Sequence, residues 1–446
     1  MEYFNREMET LSTTDLRRMQ EERLRNQVQK VYHRVPFYRQ LMDSLQLTPA
    51  DIKGLEDLLR LPFMRKTDLR DNYPFGLFAE PVESCVRLHC SSGTTGKPVV
   101  VGYTPSDIRV FTEVVARSLV APGCRPGMKL QNAYGYGLFT GGLGLHYGAE
   151  KLGMTVIPIS GGGTERQLML LRDFQTEAIC CTPSYALTLC EEIKKRGIGK
   201  EKLNLRYAIL GAEPWTESVR TEVEEKLGVS ATNIYGLSEI IGPGVSQEDK
   251  DEKATGSYIW EDHFFPEVVD RTSGEPLAEG EAGVLVFTTL TKEGMPLLRY
   301  WTNDITSIYR HKSRKRNFIK MGPIQGRADD MLIIRGVNLF HTQVEAMLEY
   351  FEEFSTNYQL VVTREGTMDD VEVKVEISGE FFQNIRRESA DTNVLSHQRV
   401  LQAHQDLVKK LKEQIGLTMK LHVSAPGTIP RSEGGKLSRI VDLRKK

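Results

Sequence analysis

The segment Ser91-Ser92-Gly93-Thr94-Thr95-Gly96-Lys97-Pro98 says more about the fold of this chain than any other stretch. Its eight residues include two glycines, four hydroxyl side chains and one cation. Glycine lets backbone N–H groups approach an anion closely, hydroxyl groups add hydrogen-bond donors, and the lysine adds positive charge. The composition therefore predicts a loop that wraps around phosphate.

This loop is not the common P-loop, whose pattern is G-x-x-x-x-G-K-[ST]. Counting back from Gly96, the first glycine position of that pattern holds Ser91, and Pro98 stands where the magnesium-binding hydroxyl belongs. For one octet taken alone, a Gly/Ser/Thr turn without a ligand remains an alternative.

A second glycine-rich segment near the C-terminus, Pro430-Arg431-Ser432-Glu433-Gly434-Gly435-Lys436, favours the phosphate loop. Together the two segments resemble the adenylate-forming superfamily of acyl-CoA synthetases, luciferases and peptide-synthetase adenylation domains. In that superfamily the first loop binds the phosphates of ATP. The lysine that closes a P-R-[TS]-x-x-G-K motif catalyses activation of a carboxylate, and the resemblance gives that role to Lys436.

Four further motifs stand between these two, in the order that the superfamily requires. They are Gly211-Ala212-Glu213-Pro214, which matches the stretch that cradles adenine, Tyr235-Gly236-Leu237-Ser238-Glu239 (Y-G-x-[TS]-E), Tyr300-Trp301-Thr302-Asn303-Asp304 (Y-x-T-G-D) and Gly326-Arg327-Ala328-Asp329-Asp330 (the hinge motif G-R-x-D-D). Two positions depart from the usual pattern. Asn303 stands where glycine is usual, and Val99 stands where a basic residue often follows the proline of the first loop.

Within the superfamily the sequence is most similar to the phenylacetate-CoA ligases. Residues 91–104, 132–142 and 287–293 look like stretches of that family, and so does the modest length of 446 residues. The resemblance implies an aryl carboxylic acid, ATP and CoA as substrates, Mg²⁺ as the metal, and a homodimer.

Activating a carboxylate with ATP brings two anions together, so the site must neutralise charge. By resemblance, Glu239 would hold a Mg²⁺ ion that bridges phosphate oxygens, with catalytic Lys436 beside the reacting groups. Thr94, Thr95 and Lys97 would meet the β- and γ-phosphates, and Thr95 is also a candidate neighbour of the metal.

The rest of the nucleotide site follows from the other motifs. Tyr235 would stack on adenine, and Asp304 would accept hydrogen bonds from the ribose hydroxyls with help from Arg327. The complete set of predicted nucleotide- and CoA-binding residues is Ser91, Ser92, Gly93, Thr94, Thr95, Gly96, Lys97, Gly211, Ala212, Glu213, Pro214, Tyr235, Gly236, Leu237, Ser238, Asp304, Arg327, Arg335 and Gly336.

The acyl group is expected between residues 134–142 and residues 211–212. Glycines there leave room for an aryl ring, and two aromatic side chains offer faces to it. The alternative is that these aromatics simply pack in the core. The predicted pocket residues are Tyr136, Phe139, Gly141, Ala212, Gly236 and Pro243.

Asp329 is the predicted hinge. The resemblance implies that one orientation of the C-terminal part brings Lys436 to the acyl-phosphate reaction and that another moves it away. Arg335 and Gly336 would then line the route of the pantetheine arm of CoA. A few residues that absorb a large backbone rotation are typical of such closures.

From about residue 129 to Tyr235, strand-like and helix-like segments alternate, which favours a parallel sheet covered by helices on both faces. Ligand loops follow strand ends in such sheets, so we expect residues 211–214 and 235–239 to lie in loops. One helix is expected to begin with a capping box, Thr164-Glu165-Arg166-Gln167.

The predicted fold class is α/β. A large N-terminal domain, residues 1–325, would contain parallel α/β sheets and, from about residue 257, a β-barrel-like subdomain. A small mobile α+β domain, residues 326–446, would follow it.

The bulk composition argues against several classes of protein. Lys and Arg total 58 against 60 Asp and Glu, a net charge of −2, which gives no support to a nucleic-acid or membrane partner. Six cysteines in so long a chain predict reduced thiols rather than a disulfide framework or a zinc site. With no signal pattern and no 18-residue apolar run, we expect a cytoplasmic protein.

The sequence thus predicts an ATP-dependent aryl-CoA ligase that works through an acyl-adenylate. One alternative is an adenylating enzyme that loads an aryl acid onto a carrier protein. Another is a nucleotide-binding relative without catalysis, although the presence of Lys436, Glu239 and Asp304 argues against it.

The double variant Lys97→Ala, Thr95→Ala tests the phosphate loop. We expect ATP affinity to fall while the fold stays intact, because a solvated loop contributes little to stability. Equilibrium titration with ATP measures the affinity, and circular dichroism checks the fold. Affinity at the wild-type level would mean that the segment is only a turn.

Overall fold

The computed structural model of the protein describes residues 1–91, 98–310, 315–328, 332–334, 337–365, 368–388, 393–431 and 439–444. In chain order, the helices of these residues are α1 (Arg6–Glu9), α2 (Thr13–Arg34), α3 (Pro36–Ser44), α4 (Lys66–Asp71), α5 (Pro105–Val120), α6 (Thr140–Leu152), α7 (Thr164–Asp173), α8 (Pro183–Lys195), α9 (Glu217–Leu227), α10 (His341–Leu348), α11 (Gly379–Glu388) and α12 (Gln398–Ile415). The strands are β1 (Arg87–Ser91), β2 (Val99–Tyr103), β3 (Lys129–Asn132), β4 (Thr155–Ile157), β5 (Ala178–Cys181), β6 (Tyr207–Gly211), β7 (Ser230–Leu237), β8 (Gly242–Glu248), β9 (Ser257–Ile259), β10 (Phe264–Val269), β11 (Gly283–Thr289), β12 (Tyr300–Thr306), β13 (Ile308–Tyr309), β14 (Lys320–Met321), β15 (Gly326–Arg327), β16 (Leu332–Ile334), β17 (Val337–Leu339), β18 (Phe354–Glu365), β19 (Met368–Ile377), β20 (Lys420–Ser424) and β21 (Ile440–Asp442).

The central sheet has nine strands in the order β13-β14-β9-β8-β7-β6-β5-β3-β4. The predicted parallel arrangement is confirmed from β4 to β7. Beyond β7 the direction of pairing changes, and β8, β9, β14 and β13 pair antiparallel. The reason is loop length, because only residues 238–241 join β7 to β8 and a parallel crossover needs a dozen residues or more.

Successive residues of β5 belong to two different hydrophobic cores. Cys180 lies in the same buried cluster as side chains of α5 and α6, whereas Ile179 and Cys181 share a cluster with α7, α8 and α9. Strand side chains point alternately to opposite faces, so helices cover both faces of this part of the sheet. Ligands are therefore expected at the carboxyl ends of its strands.

The predicted capping box at α7 is wrong. The N-cap is Gly163, with φ 59°, and Thr164 is already the first helical residue. Gln167 is buried instead, where its amide donates to the Ser160 carbonyl at 2.7 Å and accepts from Gln131 at 2.6 Å. The Gln167 side chain therefore makes tertiary hydrogen bonds instead of the capping hydrogen bond at the start of α7 that the sequence pattern predicts.

A second sheet of four antiparallel strands, in the order β10-β11-β12-β15, follows the central one along the chain. It accounts for the strand-rich region predicted from about residue 257. Val269, Val284, Val286 and Trp301 form its own hydrophobic cluster. Its last pairing places Asp304 opposite Arg327, so two predicted site residues face each other across β12 and β15.

The described residues between 332 and 444, here named the C-terminal module, have a core of their own. Strands pair in the order β20-β19-β18-β21, and α12 buries residues at spacings of three and four, which is one face of a helix. We name the preceding described residues, 1–328, the main body. In the part of the chain that the structure describes, no helix is long and apolar enough to cross a membrane.

A buried ion pair connects α5 to the start of the second sheet. Arg117 donates to both carboxylate oxygens of Asp262 at 3.0 Å, and to Glu113 at 2.6 Å. The Arg117 and Asp262 side chains are each only 1% exposed. Nearby, the Trp260 indole donates to Ser118 at 3.0 Å. Polar contacts therefore fix how the two sheets sit in the main body.

Asp262→Asn should destabilise the main body by about 3 kcal/mol, because it leaves the buried Arg117 guanidinium short of negative charge. All three tryptophans of the chain precede residue 302, so tryptophan fluorescence during urea denaturation follows this part. The control is Asp173→Asn in the same part of the chain, whose pair with Arg172 is exposed on both sides and should contribute little. Equal shifts for the two variants would contradict the expectation.

Candidate active site

Tyr235, Asp304 and Arg327 come together from three strands. The Tyr235 hydroxyl donates to Asp304 Oδ2 at 2.6 Å, and Arg327 donates to Asp304 Oδ1 at 3.3 Å. Tyr235 reaches the pair from β7 of the central sheet, so the contact joins the two sheets. Burial first, and then the charge of Asp304, raises the pKa of Tyr235 well above its usual value. The phenol is therefore a hydrogen-bond donor, and the carboxylate is fixed where the sheets meet.

The residue before Asp304 explains a departure from the usual motif. Asn303 has a left-handed backbone conformation, with φ 68°. Glycine adopts this conformation freely, and asparagine tolerates it better than most other residues. The Asn303 side chain also accepts a hydrogen bond from the Trp301 indole at 2.8 Å. Asparagine at position 303 can therefore form the turn for which the Y-x-T-G-D motif usually has glycine.

Two predicted glycines lie where neighbouring backbones leave no space for a side chain. A Cβ on Gly236 would lie 1.8 Å from the carbonyl oxygen of Gly242, and one on Gly211 would lie 2.2 Å from that of Ile234. The expectation that residues 235–239 form a loop is wrong for the first three, because Tyr235 to Leu237 belong to β7 and pair with β8. Of residues 235–239, only Ser238 and Glu239 lie in the turn between β7 and β8.

Glu239 is buried in that turn, at 5% exposure. Its Oε1 lies 3.6 Å from Lys66 Nζ, so a cation already stands beside it. No group of three or more His, Cys, Asp or Glu able to enclose a metal occurs among the residues described. Mg²⁺ commonly binds one or two carboxylates and takes its other ligands from phosphates and water. A single carboxylate therefore fits a metal that arrives with a nucleotide, with Lys66 competing for the same oxygen.

Two side chains that the sequence analysis did not single out hold this turn in place. The Tyr103 hydroxyl donates to the carbonyl oxygens of Ser238 at 3.3 Å and Ile241 at 3.0 Å. Lys292 donates to the carbonyl of Glu239 at 2.6 Å. Burial lowers the pKa of Lys292 to about 8, although nearby carboxylates oppose the shift. The sequence contained one indication of a role for Lys292, because this residue lies within residues 287–293, which resemble a stretch of the phenylacetate-CoA ligases.

The backbone after Lys292 is tied to the start of α5. The N–H groups of Glu293 and Gly294 donate to the Asp107 carboxylate at 2.6 and 2.9 Å, and the Thr104 hydroxyl donates to Glu293 at 2.6 Å. Thr104 directly follows β2, which is the strand after the predicted phosphate loop. Three regions that are distant in sequence thus form one connected unit around Glu239.

Other predicted residues lie on the same edge of the central sheet. Glu213 accepts hydrogen bonds from the Ser184 N–H at 3.2 Å and hydroxyl at 3.0 Å, at the start of α8. Its neighbour Ala212 has φ 70°, so the chain turns sharply after β6. Ser238 lies 3.0 Å, hydroxyl to hydroxyl, from Thr140 at the start of α6.

The aromatic residues of the predicted acyl pocket differ in environment. The Tyr136 hydroxyl accepts from Asn132 at 2.8 Å and lies 3.1 Å from Nδ1 of His146, which in turn contacts Glu150. Burial raises the pKa of Tyr136 to about 12. Phe139 is 43% exposed, at the N-cap of α6, so its ring does not pack in the core.

The remaining pocket residues are small or lie beside these rings. The Phe139 ring occupies the space beside Gly141, since a Cβ there would lie 2.4 Å from it. Pro243 pairs with Gly236 across β7 and β8.

An apolar cavity of about 290 Å³ lies away from the predicted acyl-pocket residues. It is lined by Phe37, Tyr38, Leu41, Leu61, Pro62, Phe63, Met64, Asp68 and Leu298.

Several residues with predicted roles lie outside the residues that the structure describes. Their roles therefore remain predictions. Of the first loop only Ser91 and Pro98 are described, and Ser91 pairs with Val99 across the β1–β2 hairpin. Arg431 is the last described residue before the catalytic motif ends. The predicted residues outside the described ranges are Ser92, Gly93, Thr94, Thr95, Gly96, Lys97, Asp329, Arg335, Gly336 and Lys436.

A comparison of Asn303→Ala with Asn303→Gly tests the strained turn. Both variants remove the acceptor for the Trp301 indole, but only alanine keeps a Cβ in a left-handed backbone. We expect the alanine variant to be less stable by about 1 kcal/mol, measured by urea denaturation followed through tryptophan fluorescence. Equal stability of the two variants would show that the turn carries no strain.

Comparison with known families covers most of the chain. Residues 79–290 match the AMP-binding enzyme family. Residues 336–444 match the AMP-binding enzyme C-terminal domain. The first match contains the regions around Glu239 and Tyr235, and the second contains most of the C-terminal module.

Individual relatives match over nearly the whole length. Phenylacetate-coenzyme A ligase of Thermus thermophilus is 61% identical over 98% of this chain and 99% of its own. Among solved structures, 2-hydroxyisobutyryl-CoA ligase in a postadenylation state superposes with a TM-score of 0.90 at 25% identity, covering 100% of this chain and 93% of that one. The same ligase in its thioesterification state gives a TM-score of 0.72 at 26% identity and the same coverage. The chain belongs to the phenylacetate-coenzyme A ligase family of AMP-binding enzymes.

Proposed function

We propose that this protein joins phenylacetate to coenzyme A in two steps that consume ATP. In the first step a carboxylate oxygen attacks the α-phosphorus of ATP, which forms the acyl-adenylate and releases pyrophosphate. In the second step the thiolate of CoA attacks the acyl carbon and releases AMP. The Thermus relative, named phenylacetate-coenzyme A ligase, supports this choice of substrate because it matches at 61% identity over 98% of the chain.

The contact of Tyr235 and Arg327 with Asp304 is the observation that carries the proposal. It places an aromatic ring, a carboxylate and a cation together at the junction of two sheets. An ionised carboxylate is an acceptor-only group and suits a pair of ribose hydroxyls. We assign the ribose to Asp304 and adenine to the region of Tyr235, next to residues 211–214.

Glu239 is our candidate for the magnesium ligand. Its buried carboxylate stands on a turn whose backbone carbonyls accept hydrogen bonds from Tyr103 and Lys292, so contacts within the protein hold the backbone that carries it. Bound Mg²⁺ would neutralise phosphate charge as the carboxylate and ATP approach each other. Lys66, at 3.6 Å, adds a positive charge at the same place.

The roles of Lys436, Asp329, Arg335 and Gly336 rest on their motifs. Lys436 would bridge the carboxylate oxygen and the α-phosphate during the first step. Arg335 and Gly336 would line the pantetheine route in the second step. The two steps then need two orientations of residues 326–446 relative to residues 1–325, with the rotation at Asp329.

We infer that the described orientation belongs to the adenylate side of this cycle. The supporting observation is the difference between two states of one relative. The TM-score is 0.90 against the postadenylation state of 2-hydroxyisobutyryl-CoA ligase and 0.72 against its thioesterification state, at nearly equal identity. A displaced C-terminal part accounts for such a difference within one protein.

The environment of Tyr136 favours an aryl substrate. Its hydroxyl is engaged by Asn132 and His146, so the residue offers its ring rather than a donor to the acyl pocket. Phe139 and the small residues Gly141 and Ala212 complete the proposed binding surface, with Gly236 and Pro243 behind them. An apolar aromatic group suits these surroundings better than a polar one.

Three further expectations remain part of the proposal. ATP and CoA are metabolites of the cytoplasm, which supports a cytoplasmic location. The homodimer rests on the family resemblance. CoA is preferred to a carrier protein as the acceptor because the Thermus relative is named a coenzyme A ligase.

The proposal is tested by mixing purified protein with ATP, Mg²⁺, CoA and a panel of phenylacetate, indoleacetate and 4-hydroxyphenylacetate. We expect a thioester, detected by mass, with the highest kcat/KM for phenylacetate. Omission of Mg²⁺ with added chelator should abolish product. Adenylate without thioester would favour a carrier protein as acceptor, and the absence of both products would contradict an enzymatic role.

A further inference from the structure

Glu191, on helix α8 of the main body, contacts two residues of the C-terminal module. Arg431 donates to it twice, from Nε at 3.0 Å and from a terminal nitrogen at 3.2 Å. The Asn357 side-chain amide adds a third hydrogen bond at 3.1 Å. One carboxylate of the main body therefore binds two segments of the module that are distant in sequence, β18 at Asn357 and the loop at Arg431.

Arg431 is held firmly within its own module. Its terminal nitrogens donate to both carboxylate oxygens of Glu376, at 2.9 and 2.8 Å. The Glu376 side chain is 1% exposed and also accepts hydrogen bonds from the N–H groups of Gly427 and Ile429. The guanidinium is thus part of the rigid module, so its contact with Glu191 fixes the module as a body.

The position of this contact relates it to the chemistry. Arg431 stands five residues before Lys436, in the same motif. Helix α8 begins beside Glu213, through Ser184, and ends beyond Glu191. The helix therefore extends from the proposed adenine region to the chain that leads into Lys436.

We propose that Glu191 is a positioning residue that holds the C-terminal module in its adenylate-forming orientation. The inference rests on the proposed two-step function. When the module rotates for the CoA step, Arg431 and Asn357 move away from α8 and these three hydrogen bonds break. An interaction present in only one of two orientations shifts the equilibrium between them by its own free energy.

Glu191→Gln tests the proposal, because it removes the charge with little change in shape at a side chain that is 40% exposed. The matched control is Glu192→Gln on the same helix, whose carboxylate, among the residues that the structure describes, pairs only with Lys195 and Arg196 at the end of α8. We expect Glu191→Gln to slow single-turnover formation of phenylacetyl-adenylate by about threefold to tenfold, the range for one partly exposed charged contact. Conversion of pre-made phenylacetyl-adenylate and CoA to thioester should stay at the wild-type rate or rise.

Salt provides a second readout. A partly exposed ion pair is screened at high ionic strength, so the adenylation rates of wild type and Glu191→Gln should converge near 1 M salt, where the Debye length is about 3 Å. Equal slowing of both half-reactions, no slowing of either, or the same effect from Glu192→Gln would overturn the role of Glu191. Failure of the wild-type protein to form any adenylate would instead overturn the proposed function.

Discussion

The structure around the site depends on one constraint, the four-residue turn that reverses the chain between β7 and β8. It is too short for a crossover, so it switches the central sheet from parallel to antiparallel pairing at that point. The reversal brings the two backbones so close that Gly236 has no space for a Cβ. Within the turn, the carbonyl oxygens of Ile241 and Glu239 accept hydrogen bonds from the side chains of Tyr103 and Lys292. The buried position of Glu239 is a consequence of this arrangement.

A second consequence is that the site lies between two sheets rather than within one. Tyr235 belongs to the strand before the turn, and its hydroxyl reaches Asp304 of the second sheet. The geometry of this contact requires the two sheets to keep a fixed separation. Buried polar contacts such as that between Arg117 and Asp262 provide it, because a pair that is 1% exposed on both sides is costly to disrupt. The stability of the main body and the geometry of the proposed nucleotide site therefore depend on the same junction.

The sequence was informative where the signal is local. Six short motifs identified the family, and the period of strands and helices predicted the parallel strands from β3 to β7. The sequence was misleading where tertiary contacts override local patterns, as when Gln167 bonds to Gln131 instead of capping α7. It could not identify Tyr103 and Lys292 as supports of the Glu239 turn, since their partners lie 135 and 53 residues away. Asn303 shows the intermediate case, in which a departure from a motif becomes intelligible only with its φ of 68°.

The contacts of the C-terminal module with α8 are different in kind from those inside the main body. Glu191 is 40% exposed and Arg431 is 23% exposed, and the nearby pair of Lys194 with Glu380 is 3.7 Å long and more exposed still. Such contacts are individually weak and hydrated, so they can be exchanged at small cost. The proposed two-step reaction, which uses both orientations, requires such weak contacts, because a close-packed apolar interface would hold the module in one orientation. The enzyme therefore combines a proposed nucleotide site, built from buried polar contacts, with a module that contacts α8 through partly exposed charges.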